Sequence, residues 1–207
     1  MLFNQYIPFE RLWKIYARVI WGDWGEVGSY SAQGFSHPVI WVQSSKWMAG
    51  QYMLGGIFLN KMRLRDSSKN LLDYVFLHEY GHGQPPFLFR ILSVTAQLIL
   101  LPLTLAVAIA LPAVWLMGAV QLGPSLSLVP FSMGTVLGLA IVLIPLMTVR
   151  WLDEGYAEVF AASELGVDNY RDARREMREI SNPSILKLVL LFVLYPPTRL
   201  VSRIAAK

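Results

Sequence analysis

The chain has 207 residues, of which 55% are hydrophobic and 15% charged, with a net charge of +4 and no cysteine. That length suits one domain, and the charged fraction falls well below the roughly one quarter usual for a soluble domain. The missing cysteines exclude disulfides, thiolate metal sites and a cysteine nucleophile, so a metal would have to be held by His and carboxylates. No basic cluster is interleaved with aromatics, which excludes a recognisable nucleic-acid groove.

In chain order, residues 10–21 read as a short amphipathic helix. Leu12, Ile15, Val19 and Tyr16 share one face and Arg11, Lys14 and Arg18 the other. Trp13 and Trp21 suit either a lipid headgroup boundary or packing on the protein itself. Residues 22–36, rich in Gly and Ser, read as loop, with His37 in the same connection. Residues 39–42 and 52–59 are β-like. Residues 61–69 read as a turn in which Asp66, Ser67 or Ser68 caps a helix running from about 69 to 81 or 83, stopped by Pro85 and Pro86.

Residues 91–149 contain no Asp, Glu, Lys, Arg or His. Residues 91–120 exceed the length that crosses a bilayer and residues 131–149 form a second such run, so a transmembrane hairpin is expected. Basic residues lie on both flanks and none in the turn, which predicts both termini on the cytoplasmic side of a two-span protein. After it, residues 151–166 and 169–179 read as helices, the second strongly charged and solvated. Residues 185–194 form a short apolar run.

The chemistry is concentrated at residues 78–82, His-Glu-Tyr-Gly-His. His78 and His82 are four apart, so a helix points both imidazoles to one side, where they suit a single zinc ion. Glu79 follows the first imidazole and suits a general base acting on water, whose pKa zinc lowers towards neutrality. These are two of the three histidines in the chain. A third ligand is required. Residues 151–158, Trp-Leu-Asp-Glu-Gly-Tyr-Ala-Glu, place Glu154 and Glu158 on one helix face, one able to ligate and the other to orient a ligand histidine.

HEYGH, a hydrophobic hairpin and then EGYAE resemble the membrane-embedded gluzincins, the metalloproteases of the CAAX prenyl protease and bacterial heat-shock membrane protease type. The resemblance covers roughly residues 52–207. It implies that His78 and His82 ligate zinc, one ion per chain, that Glu154 is the third ligand and that Glu79 is the catalytic base. Glu158 stands where the family has a supporting Asp, so its longer side chain could compete for the metal. Tyr195-Pro196-Pro197 and then Arg203-Ile204 resemble the family's closing His-Pro-Pro and Arg-Ile segment, which makes Tyr195 and Arg203 candidates for transition-state stabilisation. Gly56, Ile57 and Phe58 resemble its substrate-binding edge strand.

The fold implied is α+β, mainly α: a zincin-like catalytic domain with a small β-sheet. A two-helix transmembrane hairpin is inserted between the HExxH helix and the Glu-ligand helix. Its segments are 1–50, 51–90, 91–149 and 150–207. The function implied is a membrane-anchored zinc metalloendopeptidase with a cytoplasmic site, acting on peptide or membrane-protein substrates. The competing readings are an intramembrane zinc protease and a catalytically silent membrane scaffold.

Overall fold

The computed structural model describes residues 7–46, 48–122, 124–181 and 195–207. The apolar run expected at residues 185–194 lies outside the described residues. The chain divides into two compact units, Met1–Pro85 with Glu154–Lys207, and Pro86–Asp153.

The first unit is built on a four-stranded mixed sheet in the order β1-β2-β4-β3. Its strands are β1 (Glu26–Ala32), β2 (Phe35–Val42), β3 (Gly50–Met53) and β4 (Gly56–Asn60). β1 and β2 form an antiparallel hairpin, β2 runs parallel to β4, and β3 pairs antiparallel with β4 at the sheet edge. Three expectations are corrected here. The Gly/Ser-rich stretch is not a loop, because β1 pairs with β2 along its whole length. His37 lies within β2. Gly56, Ile57 and Phe58 belong to β4, an interior strand buried at every position, so β3 and not β4 is the edge strand on that side of the sheet.

The β2–β3 connection must carry the chain past β4 to the edge. Asn60, fully buried at the end of β4, holds it there. The Asn60 amide donates to the carbonyls of Ser44 (2.9 Å) and Met48 (3.1 Å) and accepts from the backbone N–H groups of Ser44 and Met62. One side chain thereby satisfies backbone groups that burial would otherwise leave unpaired.

Helix α1 (Ile7–Tyr16) continues into a π-helical turn, Ala17–Trp21, closed by Gly22 at φ 78°. Its inward face is Trp13, Ala17 and Trp21, which cluster with Ile40, Val42 and Phe58. The expected apolar face is corrected: Leu12 and Val19 are 49% and 73% exposed, whereas Trp13 is 1% exposed and donates its indole N–H to the Leu54 carbonyl. Spacing four apart is shared by both sets, and the larger area of the tryptophans decides which face is buried.

After the single turn of α2 (Lys61–Leu64), α3 (Lys69–His82) is the central helix. The Ser68 hydroxyl caps it by accepting from the Leu71 N–H, and Glu176 in turn accepts from the Ser68 hydroxyl and N–H. Leu71, Tyr74, Val75, Phe76 and Leu77 join the main core with Val39, Ile57 and Leu59 of the sheet. The core also takes Ala161, Ala162 and Leu165 from α5 (Pro124–Leu165), Tyr170 and Ala173 from α6 (Val167–Ser181), and Val201 from α7 (Thr198–Ala205).

The second unit holds α4 (Phe87–Leu122) and the first part of α5. Leu98, Ile109, Leu137 and Ile141 are exposed there. Among the described residues, no helix is long and apolar enough to cross a membrane. The expected transmembrane hairpin is therefore corrected. With it go the integral two-span location, the cytoplasmic orientation, the lipid bilayer and membrane-protein partners, and the intramembrane and membrane-scaffold alternatives. Absence of charge is a weaker condition than continuous apolar length. Thr104 and Thr148 in these helices turn their hydroxyls back onto the carbonyls of Leu100 and Ile144. The fold that stands is α+β, a small open mixed sheet with a mostly helical core.

Candidate metal centre

The site lies entirely within the first unit, where α3 crosses the C-terminal part of α5. Gly81 makes the crossing possible. A β carbon on it would stand 2.9 Å from the Ala157 Cα and 3.2 Å from the Ala157 carbonyl oxygen. On the α5 side the approach is made at Ala157, a small residue that is fully buried.

The crossing sets the His78 and His82 rings against Glu154. The two rings are 5.0 Å apart and perpendicular. His78 Nε2 is 3.4 Å and His82 Nε2 3.7 Å from Glu154 Oε2. The three ligand atoms lie within 4.8 Å of one another. These separations are longer than a charge-assisted hydrogen bond, about 2.7–2.9 Å. They are close to the ~3.3–3.4 Å between ligand atoms of a tetrahedral ion with bonds of ~2.0–2.1 Å. Two imidazoles and one carboxylate, converging and buried, form a cluster able to coordinate a metal.

Glu79, also buried, faces the edge strand. Its carboxylate accepts the backbone N–H of Tyr52 and packs against Gly50, where a β carbon would stand 2.8 Å from Oε1. Burial raises its pKa; the adjacent His78 and His82 pull it back, and Glu154 pushes it up again. A carboxylate whose pKa is raised is a stronger proton acceptor than an ordinary one.

Glu158 is fully buried on α5, one turn beyond Glu154. Tyr74 donates to Oε1 at 2.9 Å and Tyr170 to Oε2 at 2.8 Å, and Arg174 Nη1 lies 3.2 Å from Oε1. The His78 Nδ1 atom faces Oε1 at 3.8 Å and makes no hydrogen bond. Glu158 thus stands behind His78, on the side away from Glu154. Without metal, burial pulls the His78 pKa down. The close approach of Glu154 and the charges of Glu158, Glu79 and Glu154 outweigh burial and push the pKa up to about 9.

The other sequence candidates are placed differently. His37 Nε2 bonds the Gly55 carbonyl at 2.9 Å and its ring meets Tyr80 edge-on, apart from the cluster. Arg203 is exposed on α7. Tyr195 is half-buried, next to Pro196, which packs on Gly155 beside Glu154. Sequence reasoning missed Gly50, Tyr52, Tyr74, Tyr170 and Arg174. Tyr74 was within reach, since it precedes His78 by one helical turn. Tyr170, Ala173, Arg174 and Met177 follow helical spacing on α6 and face inward, so the helix expected to be solvated has one buried face.

No family model, curated protein or solved structure matches this chain. With no matching family and no described helix fit to span a membrane, the resemblance to membrane-embedded gluzincins is not sustained.

Proposed function

We propose that the chain is a zinc-dependent hydrolase that cleaves peptide bonds, with His78, His82 and Glu154 holding one ion and Glu79 serving as general base. The observation that carries this reading is the convergence of His78 Nε2, His82 Nε2 and Glu154 Oε2, with Glu79 adjacent on the same helix. Three protein ligands are the number typical of catalytic rather than structural zinc. Zinc bound there supplies Lewis acidity and brings the ionisation of water towards neutral pH.

Glu79 takes the proton of the attacking water and delivers it to the departing amine. Its raised pKa and fixed position against Gly50 and Tyr52 suit both halves of that transfer. Peptides are favoured as substrates because β3, the edge strand, lies against the base. An extended main chain can be held along an exposed edge with little dependence on sequence.

The test is Glu79→Gln, assayed on an unfolded protein and on quenched fluorescent peptides, with zinc measured in the same samples. Retained zinc with hydrolysis reduced by a factor of about 10²–10⁴ is expected for loss of a general base. Hydrolysis at the wild-type rate overturns the assignment.

A further inference from the structure

Two carboxylates one helical turn apart, Glu154 and Glu158, both approach His78, yet only Glu154 belongs to the three-atom cluster. A carboxylate with open lone pairs beside a metal site is itself a ligand. What distinguishes Glu158 is that its oxygens are already engaged. Tyr74 from α3 and Tyr170 from α6 each donate to one oxygen, and Arg174 from α6 approaches Oε1 at 3.2 Å. Arg174 Nη1 also donates to the Tyr74 hydroxyl at 3.3 Å, so these two donors brace each other, and the Tyr170 ring meets the Tyr74 ring edge-on. Tyr74, Glu158 and Tyr170 are buried, and Arg174 is largely so.

We infer that Arg174, with Tyr74 and Tyr170, forms a positioning cage that keeps Glu158 off the metal and against His78. This rests on the proposed zinc reading. The Glu158 carboxylate behind the ring, 3.8 Å from Nδ1, electrostatically favours the neutral His78 tautomer with its proton on Nδ1, which leaves Nε2 as the ligand atom facing Glu154. Outer partners of this kind fix the tautomer and the orientation of a ligand imidazole. Arg174 is a positioning residue: it touches neither the cluster atoms nor Glu79 in any contact described.

The experiment measures zinc affinity by chelator competition and the visible absorption of the cobalt-substituted protein. It compares wild type, Arg174→Met, Arg174→Lys, Tyr170→Phe, Glu158→Gln and the Arg174→Met/Glu158→Gln pair, with His78→Ala as reference. Arg174→Met is expected to weaken zinc by roughly 10–100-fold and to change the cobalt spectrum as the freed carboxylate enters the metal's surroundings. Arg174→Lys should recover part of the loss, and the pair should bind no worse than the weaker single variant. Where Arg174→Met does not fold, Tyr170→Phe, which removes one oxygen, decides by the same two readouts. Unchanged affinity and spectrum in the cage variants, or losses that add independently, overturn the inference alone. Failure of the wild type to bind either metal, or binding unaffected by His78→Ala, overturns the zinc reading and this one with it.

Discussion

Glu79 and Gly50 are in such close contact that no side chain fits between them: a β carbon on Gly50 would lie 2.8 Å from Glu79 Oε1 and 2.9 Å from its Cγ. The edge strand therefore fixes the position of the Glu79 carboxylate, and glycine at residue 50 is what lets it do so. Gly50→Ala forces Glu79 or Val75 to move. The expected outcome is a loss of about 1–3 kcal/mol in stability from overpacking and a fall in kcat, with zinc content unchanged. Thermal melts, steady-state kinetics and metal analysis of the same variant check the three together.

Gly81 has a different neighbour and a different consequence. Its added β carbon would meet the Ala157 backbone rather than a flexible side chain. In an isolated helix Gly→Ala gains about 1 kcal/mol, but overpacking against backbone costs about 1–3 kcal/mol and wins here. Gly81→Ala should lower the melting temperature and weaken zinc as well, because α3 and α5 carry opposite halves of the cluster. Chelator competition distinguishes this from Gly50→Ala, which spares the metal.

The titration of His78 sets a pH dependence. The folded, metal-free protein holds its proton up to about 9, against an ordinary 6.5. Its contribution to stability is therefore complete below about pH 6.5 and is lost as pH rises through 9. Glu79, also raised, acts in the same direction, because the folded state again binds the proton more tightly than the unfolded one. Metal-free protein should melt at a lower temperature at pH 9.5 than at pH 6. Zinc must displace the His78 proton, so its apparent affinity should rise by up to ~tenfold per pH unit below 9. Calorimetry in buffers of different ionisation enthalpy counts the released proton.

The two faces of α1 make opposite predictions. Trp13→Ala removes a buried side chain and should destabilise by about 3–5 kcal/mol, whereas Leu12→Ala, half exposed, should fall within about 0.5 kcal/mol of wild type. Denaturant unfolding of the two variants is the check.

The central part of this site was legible because it depends on local geometry. His78 and His82 share a helix face by their spacing alone, and Glu154 and Glu158 share one face of the helix that follows a long uncharged run, with only the family resemblance choosing Glu154 between them. Ser68 was legible as a cap for the same local reason. What sequence could not supply was pairing. β1 is polar and Gly/Ser-rich, and becomes a strand because β2 lies beside it. Chain order does not disclose that β2 runs next to β4, which makes Gly56, Ile57 and Phe58 interior and leaves β3 at the edge. Arg174 sits in a strongly charged helix, and only the packing of α6 against α3 turns it towards Glu158. The missing charge in residues 91–149 was read as a membrane signal, a step that no described helix supports.

The central claim is that His78, His82 and Glu154 together hold one metal ion. Its most direct test is the zinc content of purified wild type against His78→Ala, His82→Ala and Glu154→Ala. About one zinc per wild-type chain, lost in each of the three variants while far-UV circular dichroism stays unchanged, is the predicted result. Zinc retained in His78→Ala and Glu154→Ala at the wild-type level would contradict it.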